Sequence, residues 1–373
     1  MKITKVEAWV FRAPVSHPVT NAFGSMANRP ALFVRLSAAD GAWGWGEVFC
    51  NFPQVGAEHR ARLISSIFAP LIEQSEFGDA AALRSFLDQR TRRMAIQCGE
   101  PGPFAQVTGG LEQAMWDMAA RRAGLPLWRL LDDTGAGVGR VRVYASGIGP
   151  QDVVDLALAK QAEGYRAFKL KVGFAPDVDR RNLADLRAAL APAAAIMIDA
   201  NQAWGPAQAA ARIAALADLA PLWIEEPMAA DEDAAEWAAL AATCGLALAA
   251  GENLRGEAAF KQAVDGGYLR YVQPDIGKWG GLGGCRSVAR YASAHGAVFC
   301  PHWLAGGIGL AASMHLRAAM GEGGYVEVDA NPNPLREEVC GFAVVDGWVE
   351  LPATPGLGCE PDLAVLARFA VTQ

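Results

Sequence analysis

"AFKLKVGFAPDVDRRNLADLRAALAPAAAIMIDANQ", residues 167–202, holds a strand, a helix and a second strand in one continuous stretch. Two short apolar runs, AFKLKVG (167–173) and AIMIDANQ (195–202), carry charge at their ends. They flank PDVDRRNLADLRAALAP, whose apolar residues recur at helical spacing. A strand sends residues i and i+2 to one face, so Lys169 and Lys171 share a side of an otherwise apolar strand. Lysine supplies only 7 of the chain's 33 basic residues. Arginine stays protonated in proteins, whereas burial or a neighbouring cation can push lysine toward neutrality. The lysine pair therefore points to proton transfer.

The unit repeats. VRVYASG (141–147) precedes it, and LWIEEPM (222–228), LALAAGENL (246–254), YVQPDIG (271–277), AVFCPHW (297–303) and GYVEVDAN (324–331) follow. Residues 171, 199, 225, 252, 275, 302 and 327 mark the run ends at intervals of 28, 26, 27, 23, 27 and 25. That is the length of a strand, a helix and two short loops, and eight strands in series predict a (β/α)-barrel occupying residues 131–339. Residues 1–130 break the rhythm: strand-like alternation gives way to helical stretches near 58–92 and 104–131, an α+β capping domain. Beyond residue 340, FAVVDGWVELPATPGLG carries a DG turn between apolar runs, and residues 340–373 are expected to return to the capping domain.

Composition narrows the function. A net charge of −7 and a pI near 5.4 leave no basic face for nucleic acid or an anionic membrane. No apolar run is long enough to span a bilayer. The N-terminal MKITKVEAWVFRAPV alternates like a strand, unlike a secretory signal. The seven cysteines (50, 98, 244, 285, 300, 340 and 359) have no CxxC spacing. They read as reduced, so a cytoplasmic protein is expected.

In such a barrel the strand ends gather Lys169, Lys171, Asp199, Glu225, Glu252, Asp275, His302 and Glu327 at one mouth. Any one of these could be a solvated loop residue. Three carboxylates on successive strands, however, repel each other unless a cation sits among them, and an oxygen-only set suits Mg²⁺. A cation beside two lysines could bind a substrate carboxylate and stabilise the charge left by loss of its α-proton. Lys171, beside a second ammonium and a metal, is then shifted down toward the range of a general base, with Lys169 tuning it and touching the carboxylate. Asp275 ends the strand beside that of His302 and could orient its imidazole. Glu226 reads as structural, as do His17, His59, His295 and His315.

These residues resemble the enolase superfamily, in its mandelate racemase branch, over essentially the whole chain. The resemblance rests on KLK (169–171), IDANQ with Asp199, IEEP with Glu225, GEN with Glu252, VQPDIGKWGG with Asp275, PHW with His302 and VEVDANPNP with Glu327. It implies Mg²⁺ held by Asp199, Glu225 and Glu252, Lys171 and the His302–Asp275 dyad as the two acid/base groups, and Glu327 on a substrate carboxylate oxygen. Relatives with this architecture commonly form homo-oligomers. The muconate branch carries a lysine where Asp275 stands; Lys278 falls three residues late and is expected to face elsewhere.

KVGF, MIDAN and QPDIGKWGG look most like acid-sugar dehydratases and sugar-lactone cycloisomerases, which favours β-elimination over racemisation or epimerisation. Two segments, 17–30 and 49–60, are expected to supply specificity, with Asn201, Phe23 and Asn51 as substrate-binding candidates. Arg29 and Arg60 only flank these segments, which leans toward a monoacid or a lactone. Other classes remain: a Schiff-base barrel aldolase, a phosphate site at GGIG (306–309), or a non-catalytic binding protein.

Overall fold

Alternation of apolar and polar residues builds the first sheet. The computed structural model describes residues 1–21 and 24–371, with the side chains of 16–18 and 21 outside that description. Strands β1 (Ile3–Asn21) and β2 (Gly24–Ala38) pair antiparallel, and β3 (Trp43–Val48) adds to β2. The segment 17–30, expected as a loop, belongs to this hairpin, pairing Val19 with Met26 and Asn21 with Gly24. Phe23 and the side chain of His17 lie outside the described residues.

Helices follow: α1 (Gly56–Leu63), which continues through a π turn into α2 (Ala69–Ile72), then α3 (Ala80–Gln97), α4 (Pro101–Ala123) and α5 (Leu127–Leu131). Asp79 caps α3 by accepting the Ala82 N–H at 2.7 Å, and Gly124 ends α4 in the left-handed conformation at φ 67°. Strand β3 lies directly on the α4 backbone. A Cβ on Gly44 would meet Ala114 O at 2.1 Å and one on Gly46 would meet Gly110 O at 2.0 Å, so only glycine allows that approach.

Eight parallel strands come next: β4 (Arg140–Ile148), β5 (Ala167–Lys171), β6 (Ala195–Asp199), β7 (Ile224–Glu225), β8 (Leu248–Ala250), β9 (Tyr271–Val272), β10 (Val298–Phe299) and β11 (Val326–Asp329). Their order is β10-β9-β8-β7-β6-β5-β4-β11. The two ends of that order meet where the Tyr325 N–H donates to Cys300 Sγ at 3.3 Å. Helices α6 (Val153–Ala162), α7 (Pro176–Ala189), α8 (Pro206–Ala217), α9 (Ala234–Thr243), α10 (Glu257–Asp265), α11 (Gly281–Ala294) and α12 (Gly307–Ala319) alternate with them. Period-two alternation sorts the strand residues. Phe168, Leu170, Ile196 and Ile198 join the main apolar core, whereas Tyr144, Ala167, Met197, Trp223, Ala249 and Cys300 fill the barrel interior. The next inward positions along β5, β6 and β7 are Lys169, Lys171, Asp199 and Glu225, so the charged layer lies directly above an apolar plug.

The tail takes a two-part path. After α13 (Pro334–Glu337), Asp346 and Gly347 turn with φ 49° and 80°, and β12 (Trp348–Glu350) pairs antiparallel with barrel strand β4. The Leu357 N–H then donates to Asp117 of α4 at 2.7 Å. A last helix, α14 (Leu363–Leu366), leads to Ala370, which bridges Phe11 of β1.

Candidate active site

Parallel register places the charges. Lys171 pairs with Asp199 across β5–β6, and Asp199 with Glu225 across β6–β7, so their side chains emerge about 4.8 Å apart on neighbouring strands. An isolated parallel bridge joins Asp275 to His302. All of these side chains are buried, and each carboxylate meets a cation. Lys169 contacts Glu225, Glu327 (2.8 Å) and Asp199 (3.4 Å), and its ammonium lies 5.3 Å over the Tyr144 ring. Lys171 Nζ donates to Asp199 Oδ2 at 2.6 Å. His302 Nδ1 meets Asp275 Oδ2 at 2.6 Å, and its Nε2 lies 2.9 Å from Glu252 and 3.3 Å from Glu327. Glu327 also accepts the Ser146 hydroxyl, and Glu225 the Trp223 and Gln273 side chains at 3.2 and 2.6 Å.

These contacts set the proton affinities. Burial alone would lower Lys169, but Glu225 and Glu327 raise it well above the usual lysine value. Lys171 is lowered by burial and by Lys169, yet Asp199, Glu327 and Glu225 together raise it. The downward shift expected of Lys171 belongs to a site that also holds a metal ion; in the protein alone the carboxylates answer the ammoniums. Burial disfavours charged His302, while Glu252 and Glu327 lift it well above its ordinary value. Glu252 is raised by burial but held well below the carboxylate range by His302 and Lys278.

The charged layer opens into a cavity of about 460 Å³ beneath the capping domain. Lys171, Asn201, Glu252 and His302 line it from the barrel, and Asn51 from the capping domain. Lys169, Asp199, Glu225, Asp275 and Glu327 form the buried layer below that lining. Lys169, expected to touch a substrate carboxylate, is fully enclosed by its acids. Asn51 donates to Leu304 O at 2.5 Å, which ties segment 49–60 to the loop after β10. Among described residues, none of the 17–30 segment lines the cavity; Arg29 is buried against Asp329. Clefts of 510 to 660 Å³ elsewhere are lined by none of the predicted acid/base or metal-binding residues.

Two expectations are corrected. Lys278 does not face away: Asp275 Oδ1 accepts the Gly277 and Lys278 N–H groups at 2.7 and 3.1 Å, and this turn brings Lys278 Nζ to 2.6 Å from Glu252. Strand alternation stops at Glu225, since Glu226 takes φ 38°. Its carboxylate accepts both bonds from Asn253 Nδ2, at 3.0 and 2.9 Å, beside Glu252. Arg60, Gln106, Gln202, Asn253 and Arg255 also line the cavity. Only the comparison with the muconate-branch lysine singled out Lys278 in the sequence, and periodicity marked none of the others.

The donor set fits a divalent ion in chemistry. Three carboxylates project from the ends of consecutive strands, and Asn201 Oδ1 is buried beside them with no hydrogen-bond partner. In this arrangement the carboxylates turn to lysine and histidine, and no three acidic, histidine or cysteine side chains among the described residues form a coordination shell.

Family models match almost the whole length: residues 5–132 match the mandelate racemase/muconate lactonizing enzyme N-terminal domain, and residues 152–365 the enolase C-terminal domain-like family. The chain belongs to the mandelate racemase/muconate lactonizing enzyme family of the enolase superfamily. Among solved structures it is similar to a mandelate racemase/muconate lactonizing enzyme from Bordetella bronchiseptica RB50, with 47% identity, TM-score 0.92 and 99% of both chains covered. It is also similar to a racemase from Streptomyces coelicolor A3(2) with bound magnesium, with 28% identity, TM-score 0.87 and 99% and 100% covered. Among curated relatives, D-galactarolactone cycloisomerase of Agrobacterium fabrum is 29% identical over 99% of both chains, and D-galactonate dehydratase of Ralstonia nicotianae is 30% identical over 90% of both. This family member is accordingly an enzyme of the lyase or isomerase type. Among the described residues, no helix is long and apolar enough to cross a membrane.

Proposed function

We propose that this enzyme removes the α-proton of an acid-sugar carboxylate and then eliminates the β-oxygen, as a dehydratase or a sugar-lactone cycloisomerase. One observation carries the reading: Lys171 and His302, from strands on different parts of the ring, line a single cavity above a buried layer of carboxylates. The curated dehydratase and cycloisomerase relatives support the substrate class.

Asp199, Glu225 and Glu252 would hold Mg²⁺, the ion bound in the Streptomyces neighbour. When bound, the ion supplies the positive charge that answers both these carboxylates and the substrate carboxylate. Lys171 takes the α-proton at Nζ from its unprotonated form, the form that its present bond to Asp199 disfavours. Asp275 accepts from His302 Nδ1 and leaves Nε2 as the proton donor at the cavity. Nε2–H then protonates the departing β-oxygen. The Cα–H and Cβ–O bonds break, an enol forms, and the enol becomes a 2-keto acid. Glu327, paired with Lys169 and Ser146, keeps the charged layer neutral and fixed beneath the cavity.

Two acid/base groups in one cavity also suit racemisation, the activity named for the Streptomyces neighbour. Product analysis separates the two. Incubation with acid sugars and their lactones in the presence of Mg²⁺ is expected to yield 2-keto-3-deoxy acids. Inversion at Cα without a keto product would replace elimination by racemisation.

A further inference from the structure

The capping-domain wall of the cavity carries a guanidinium, that of Arg60, with no ion-pair partner among the described residues. Arg60, on α1, is only 3% exposed. Its guanidinium donates to Gln106 Oε1 (2.9 Å), Gly56 O (3.3 Å) and Phe52 O (3.2 Å), all neutral acceptors. Glu100 favours the charged guanidinium through space, but its carboxylate lies 3.2 Å from His59 and makes no ion pair with Arg60. A buried cation without an anion costs several kcal/mol relative to a paired one. Arg317 is also buried without a carboxylate, but it caps the end of α12 through Gly321 O at 2.8 Å, where a helix favours a cation. Arg60 has no such compensation, because α1 runs on through the π turn into α2.

A second guanidinium converges on the same wall. Arg255, from the loop after β8, lies against the first turn of α4. A Cβ on Gly102 would meet its two terminal nitrogens at 2.6 and 3.0 Å, which places the guanidinium directly against that turn. Arg255 has no ion pair among the described residues and is exposed at the rim. The one carboxylate lining this cavity, Glu252, is already held by Lys278 and His302.

We infer that Arg60 and Arg255 form a second anion subsite, which takes the distal carboxylate of a dicarboxylic sugar acid. This deepens the reading above and rests on it. It departs from the monoacid half of the sequence expectation of a monoacid or a lactone, because Arg60 lines the cavity. One carboxylate sits at the acidic layer with Lys171 and His302, and the hydroxyls between the ends face the amides of Asn51, Gln202 and Asn253. The subsite also suits a lactone of such an acid. There the α-proton passes to Lys171, the Cβ–O bond to the ring oxygen breaks, and that oxygen keeps the electron pair as a new carboxylate beside the guanidiniums. No co-reactant is needed.

The test compares hexonates with hexarates and hexarolactones of matching configuration, reading kcat/KM and α-proton exchange in D₂O with Mg²⁺. Hexarate or hexarolactone is expected to exceed the matching hexonate at least tenfold. Arg255→Gln and Arg60→Gln should each reduce that preference at least fivefold, mainly through KM, with Arg60→Lys restoring part of it. If Arg60→Gln fails to fold, Arg255→Gln at the exposed rim still decides. Equal turnover of hexonate and hexarate, or a preference unchanged in Arg255→Gln, overturns the subsite while leaving the elimination reading intact. No α-proton exchange from any acid sugar overturns both.

Discussion

Lys171 is pulled two ways: burial and the ammonium of Lys169 lower it, while Asp199, Glu327 and Glu225 raise it, and the carboxylates win. Lys171→Ala and His302→Asn should each lower kcat by at least about a hundredfold, the usual worth of a positioned acid or base. Steady-state assay beside calorimetric titration of Mg²⁺ should show turnover lost and metal binding retained; full turnover in the lysine variant would remove it from the reaction. Asp199→Ala should weaken Mg²⁺ by more than about tenfold in the same titration, and unchanged affinity would exclude it as a ligand. Most of these residues were legible in the sequence because strand alternation dictates which side chains face inward. Lys278 and Glu226 were not, because both follow a strand end, where an Asx turn and a positive φ replace the period of two.

At the level of elements, the capping domain grips the helices behind the dyad. Glu47 of β3 accepts the Gly306 and Gly309 N–H groups at the start of α12, at 2.6 and 2.9 Å. Glu112 of α4 does the same for Leu282 and Gly283 at α11, at 2.7 and 2.9 Å. Carboxyl oxygens at helix N-termini satisfy otherwise unpaired donors. Further along α12, His315 accepts the Trp128 N–H at Nδ1 and donates from Nε2 to Leu357 O, both at 3.1 Å. Burial lowers it from 6.5 to about 4. The unfolded chain therefore takes up the proton first as pH falls. The stabilisation is complete above about pH 6.5 and is lost between there and pH 4, about 3 kcal/mol in all. Thermal melts across that range should fall more steeply for the wild type than for His315→Gln, which keeps both hydrogen bonds without titrating; parallel slopes would contradict the assignment. Nothing in the sequence marked His315 as a sensor, since its partners lie 187 and 42 residues away.

Across the whole molecule, the tail ties barrel to cap. Val349, Leu357 and Leu366 are each no more than 2% exposed. At about 1.5–3 kcal/mol apiece, their burial rivals the 5–15 kcal/mol that keeps a typical protein folded. Truncation after residue 339 should therefore give insoluble or unfolded protein, checked by circular dichroism; a soluble, cooperatively melting product would show that the tail is dispensable. The barrel was legible from the spacing of charged run ends, because each βα unit needs a similar length of chain. The path of β12 onto β4, and the meeting of Arg60 with Arg255 on α4, depend on contacts between distant segments that no local pattern encodes.

In the proposed reaction Lys171 abstracts the α-proton and His302 protonates the departing β-oxygen. Proton NMR in D₂O with Mg²⁺, on wild type and Lys171→Ala side by side, tests it most directly. The account predicts that a hexarate or its lactone loses its α-proton signal and gains a deuterated methylene of a keto acid with the wild type only. No loss of that signal with any acid sugar, or equal loss in the variant, would contradict it.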